Sequence, residues 1–75
     1  MTYYLDKLNK DNIRIQIEEA IFGDGEIEII LPSELFNHLY LRLVNDKIIN
    51  WDGNRSMSSI SLFYYPFSDC IIYRK

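Results

Sequence analysis

Ile13-Arg14-Ile15-Gln16-Ile17-Glu18-Glu19-Ala20-Ile21-Phe22-Gly23-Asp24-Gly25-Glu26-Ile27-Glu28-Ile29-Ile30-Leu31 is the stretch on which the fold turns. Ile13, Ile15, Ile17 and Ile21 keep a period of two, and so do Ile27, Ile29 and Leu31. Each run therefore has one apolar face if extended, which predicts a β-hairpin over residues 13 to 31. A two-residue Asp24-Gly25 loop would put the two isoleucine rows on opposite faces. A three-residue Gly23-Asp24-Gly25 loop pairs Ile21 with Ile27 and aligns them, with Gly25 in the positive-φ position. In that register Ile15, Ile17, Ile27 and Ile29 are core, and Glu18, Glu26 and Glu28 face solvent. Glu19 falls on the apolar row, a local inconsistency that a bulge or strand end would explain.

Downstream, Pro32-Ser33-Glu34 is a helix-start signal, with Ser33 as cap and Glu34 favourable in the first turn. Leu35, Phe36, Leu39, Tyr40 and Leu43 recur at helical spacing, and Asn45 is placed to end the helix in a left-handed conformation. Tyr40 to Val44 also alternates as a strand. Ile48 to Trp51 reads as a short strand, Asp52-Gly53-Asn54 as a turn, and Ser58 to Tyr65 as a longer strand. Pro66 to Asp69 interrupts it, and Cys70 to Tyr73 forms the last strand. The expected architecture is α+β: an N-terminal β-hairpin, one short helix and a C-terminal antiparallel β-meander, all in a single domain over residues 1 to 75.

Charge is segregated along the chain. Between Arg14 and Arg42 there is no lysine or arginine, but there are Glu18, Glu19, Asp24, Glu26, Glu28 and Glu34. The remainder has five acids against eight bases, so the net −3 hides a dipolar molecule. This pattern favours a cationic protein surface and disfavours a phosphate backbone. Direct nucleic-acid binding is not expected: the basic residues are dispersed and the pI is about 4.9.

Composition narrows the class further. Apolar content of 48% excludes a disordered acidic tail. One cysteine, Cys70, excludes an internal disulfide scaffold, and no apolar run approaches the ~20 residues of a membrane span. The first residues lack the layout of a signal peptide, so a cytoplasmic protein is expected, with no membrane contact. Twelve isoleucines, six asparagines and one alanine point to an A/T-rich gene.

No catalytic, cofactor or metal pattern is expected from the residues present. His38 stands alone with Glu34 one turn earlier, and one His with one Cys falls short of a zinc site. Cys70 has no basic activator nearby in sequence, which makes it a core thiol. The carboxylates read as a solvated face, and Gly23 and Gly25 flank an acid and not a phosphate loop. Aromatic residues are dense between positions 63 and 73, where Phe63, Tyr64, Tyr65, Phe67 and Tyr73 suit protein recognition, with core packing accounting for about half by alternation.

Ser59-Ile60-Ser61-Leu62-Phe63 resembles the pentapeptide by which many bacterial replication proteins dock on the sliding clamp, Gln-Leu-Ser/Asp-Leu-Phe. The Ser61-Leu62-Phe63 core matches, Ile60 is a conservative replacement, and Ser59 stands where the pattern has glutamine. The whole chain also resembles, in size, composition and charge, the small acidic proteins by which phages and mobile elements of A/T-rich Gram-positive bacteria disable host machinery. Anti-CRISPR proteins, uracil-glycosylase inhibitors and replication inhibitors belong to that group. The resemblance implies a non-enzymatic inhibitor in the host bacterial cytoplasm that mimics DNA. It would block a basic DNA-binding surface, with the sliding clamp of DNA replication as the best single target. Glu18, Glu19, Asp24, Glu26 and Glu28 would then stand in for phosphates, and Ile60, Leu62 and Phe63 would supply apolar anchors. A small core and abundant tyrosine also lead us to expect a homodimer. The alternatives are an anti-CRISPR protein, or a structural or antitoxin-like accessory subunit whose acidic face maintains solubility.

Overall fold

Residues 13–20 form a helix and not the first arm of a hairpin. The computed structural model describes residues 2–21, 26–50, 57–64 and 67–75. Strand β1 (Thr2–Tyr4) leads through a short 3-10 turn, Lys10–Asn12, into helix α1 (Ile13–Ala20). Strand β2 (Ile27–Leu31), helix α2 (Ser33–Asn45), strand β3 (Ser59–Tyr64) and strand β4 (Phe67–Arg74) follow. The α+β class holds, and the sheet is mixed. Its order is β1-β2-β4-β3, with β2 parallel to both β1 and β4, and β3 antiparallel to β4.

The physical reason for the helix lies in which isoleucines are enclosed. Ile13 and Ile17, four residues apart, are buried, while Ile15 between them is 55% exposed. That is one stripe of a helix and not one face of a strand. Arg14 and Glu18 form an i,i+4 ion pair on the same helix. Upstream, the Asn9 side chain accepts from the Asp11 N–H at 2.9 Å, and the Gln16 Oε1 accepts from the Asn9 N–H at 2.6 Å. These contacts fix the helix entry. Packing against α2 outweighs the β preference of branched side chains.

Helix α2 buries Leu35, Phe36, Leu39, Tyr40 and Leu43, the five positions its spacing predicts. Its ends differ from expectation. Pro32 occupies the cap, and Ser33 is the first helical residue, with its hydroxyl taken by Arg74 at 2.6 Å. At the other end Lys47, not Asn45, is the left-handed residue, with φ 61°. The N–H of Lys47 donates to the Val44 carbonyl and that of Ile48 to the Leu43 carbonyl, the paired closure of a Schellman motif. This closure holds Ile48 to Asn50 outside any strand; the rest of that expected strand, the Asp52-Gly53-Asn54 turn and the Gly23-Asp24-Gly25 loop lie outside the described residues.

The core sits between the helices and one face of the sheet. Ile27, Ile29 and Leu31 of β2, Ile60 and Leu62 of β3, and Cys70 and Ile72 of β4 meet the buried stripes of α1 and α2. Arg74 closes one rim. Its guanidinium stacks 4.5 Å above the Phe36 ring and donates to the Met57 carbonyl at 3.0 Å, tying α2 to the start of β3. Among the described residues, no helix is long and apolar enough to cross a membrane.

Candidate functional site: the open face of the sheet

Side chains alternate across a sheet, so the core register fixes the opposite face as well. Thr2 stands beside Glu28, which stands beside Ile71, which pairs with Ser61. One row further, Tyr4, Ile30, Tyr73 and Ser59 form a second line across all four strands. No described element covers these rows. Tyr4 is 71% and Phe63 73% exposed, while Ile30, Ile71 and Tyr73 on the central strands are half-buried.

Three carboxylates gather on this face. Glu26 and Glu28 come from β2 and its entry, and Asp69 from β4. With Ile27, Ile71 and Tyr73 they line a shallow cleft of about 270 Å³. None of the described strand residues that share the open face is basic. The arrangement is an anionic strip beside an apolar and aromatic shelf. Chemically it suits a guest that carries positive charge and some apolar surface.

The other expected acids divide differently. Glu18 and Glu19 lie on α1 and not across a ladder from Glu28. Glu18 is half-buried at 29% side-chain exposure, since Arg14 Nε donates to its Oε1 at 3.0 Å. The same arginine reaches Asp46 at 2.7 Å, and Arg42 lies 3.4 Å from that carboxylate. This network lines a second cleft between α1 and α2, of about 290 Å³, and its charges compensate one another. The hydrogen bond from Arg14 holds the Asp46 carboxyl below the ordinary range. Lys10 pairs with Glu34 and lowers that carboxyl too. Glu19 and Glu26 are exposed, and Asp24 lies outside the described residues.

The pentapeptide at 59–63 is strand β3. Ile60 and Leu62 point into the core at 5% and 2% exposure, so this fold does not present them to a partner. Only Phe63 of the three expected apolar anchors is available. His38 is half-buried on α2, Cys70 is fully buried, and no group of three or more metal-binding side chains occurs among the described residues. Asp69, Tyr4, Ile30 and Ile71 belong to the open face without having been singled out for it. For Asp69 and Ile71 the signal is the odd-numbered alternation of Asp69, Ile71 and Tyr73 against Cys70 and Ile72. Ile30 shares the even-numbered row of Glu26 and Glu28, and Tyr4 carries no local signal.

Comparison with protein-family models, with curated proteins and with solved structures finds no match to this chain.

Proposed function

We propose that the protein is a non-enzymatic binding module whose open sheet face seats a basic protein surface. The observation that carries this reading is the co-location of Glu26, Glu28 and Asp69 with Ile71, Tyr73, Tyr4 and Phe63 on one face that no described element covers. Face-to-face pairing of two copies would oppose like charges, so a cationic guest fits better than a second copy. The acids would occupy the place of phosphates on a protein that handles DNA, and Phe63 with Tyr4 would supply the apolar contact area. A phage-encoded inhibitor acting on the bacterial sliding clamp is the specific form of this reading, resting on the face and Phe63 and not on an extended peptide.

The test uses immobilised protein and purified sliding clamp, with a second channel of Glu26→Lys, Glu28→Lys, Asp69→Lys triple variant. All three positions lie outside the core, so the variant should keep its far-ultraviolet circular dichroism. Binding to wild type should weaken with salt, compete with duplex DNA and fall at least tenfold in the variant. Clamp binding that survives the triple reversal removes the electrostatic mechanism. Absence of clamp binding removes this target.

A further inference from the structure

Strand β3 is a sheet edge of six residues, whereas the opposite edge, β1, has three. Natural sheets protect long edges with lysine, proline, glycine or a bulge. Ser59-Ile60-Ser61-Leu62-Phe63-Tyr64 contains none of the first three. The ladder does carry a bulge, but on the other strand. Leu62 pairs with Cys70 and Tyr64 with Phe67, so two steps in β3 face three in β4. The extra residue therefore belongs to β4, and β3 itself stays regular.

Hydrogen-bond parity determines what this edge offers. The Arg74 N–H donates to the Ser58 carbonyl at 2.9 Å, which makes Ser58–Arg74 a hydrogen-bonded pair of the antiparallel ladder. Such pairs alternate, so Ile60 and Leu62 also spend their backbone groups on β4. Ser59, Ser61 and Phe63 direct their N–H and C=O groups away from it. Among the described residues no strand pairs with that side.

We infer that β3 is the interface of a two-fold homodimer, in which Ser61 faces Ser61 of the second copy across the dyad. Antiparallel pairing about that point sets Ser59 against Phe63 of the other copy, and Ile60 against Leu62. Every outward-facing backbone group of positions 59, 61 and 63 then meets an outward-facing counterpart. The parity of faces is also kept: the buried rows join on the helix side, and serine meets serine or phenylalanine on the open side. Charge supports the choice of a second copy. From Ser56 to Ser68 the chain has no charged residue, so two molecules of net charge −3 can approach here without repulsion at the seam. The result is one eight-stranded sheet with both anionic faces on the same side. The inference stands independently of what those faces bind.

A six-strand-residue seam is smaller than the ~800 Å² per partner of a standard stable interface, so the dimer should depend on concentration. Sedimentation equilibrium of wild type should move from the 9.0 kDa chain mass towards twice that value between micromolar and millimolar protein. Ser61→Lys, which places like charges at the dyad on an exposed position, should stay monomeric with unchanged circular dichroism. A register-specific check uses cysteine. Opposed residues of a hydrogen-bonded pair have Cα atoms ~5.5 Å apart, within disulfide reach. Ser61→Cys should thus form a covalent dimer under mild oxidation. Ser59→Cys should not, because the two copies of that position are offset by four residues, roughly 14 Å. Wild type that remains at the monomer mass throughout, or Ser59→Cys that cross-links as readily as Ser61→Cys, overturns the inference.

Discussion

Cys70 has no exposed surface, and burial, reinforced by the charge of neighbouring Asp69, pushes its thiol up to about 11. A thiolate is the reactive species, so at pH near 8 the folded protein should resist iodoacetamide and label only after denaturant is added. Rapid labelling of native protein would mean that β4 opens readily. Asp46 gives a second residue-scale expectation. Its native carboxyl lies below the ordinary 3.8, first because Arg14 hydrogen-bonds to it, with the charges of Arg42 and Arg14 adding and desolvation opposing. A lowered native value means that the unfolded chain takes up the proton first on acidification. The contribution is therefore whole above about pH 4 and is lost as pH falls through the native value. Denaturation midpoints of Asp46→Asn should accordingly fall less steeply than those of wild type on the acid side. Equal slopes would show that the α1–α2 network does not couple to folding.

Among the elements, α1 separates two readings of one sequence. On this helix Ile17→Ala removes a fully enclosed side chain and costs about 2–5 kcal/mol, whereas Ile15→Ala stays within roughly 0.5 kcal/mol. A hairpin would penalise both alike, so chemical denaturation of the two variants decides the matter. The sequence permits both readings because isoleucines at 13, 15, 17 and 21 contain a two-residue period and a four-residue one. Glu19 was the discriminating residue, since it breaks the strand row and is harmless on a helix. Helix α2 was fully legible in its apolar stripe, whose five positions fit no other period so well. Its N-cap was not, because Arg74, far away in sequence, takes the Ser33 hydroxyl. Strands β3 and β4 were visible as β-rich runs, although β4 begins at Phe67, within the stretch 66–69 expected to be a break. Strand β1, with three residues and a partner on the far side of α1, carries no local signal. Parallel pairing is non-local by nature, so neither its register nor the joining of the outer rows of β2 and β4 into one face could be read from any window of the chain.

For the whole molecule, the anionic segment of the sequence splits in three dimensions. Glu26 and Glu28 stay outward as the sequence suggests, Glu18 turns to Arg14, and Asp69 joins from the far end of the chain. The acidic face is thus assembled from β2 and β4 and exists only in the folded state. The position of β2 between β1 and β4 has a consequence for how the protein is made. During synthesis β2 can find β1 early, but its second neighbour, Phe67–Arg74, emerges some forty residues later. Until then Ile27, Ile29 and Leu31 lie on a half-finished sheet, and ribosome-bound chains should be sensitive to proteases and chaperones. A chain stopped after Pro66 should show little native circular dichroism and enter the insoluble fraction. Folding therefore waits for the emergence of β4, and a nascent fragment that lacks it should have no anionic face with which to engage anything.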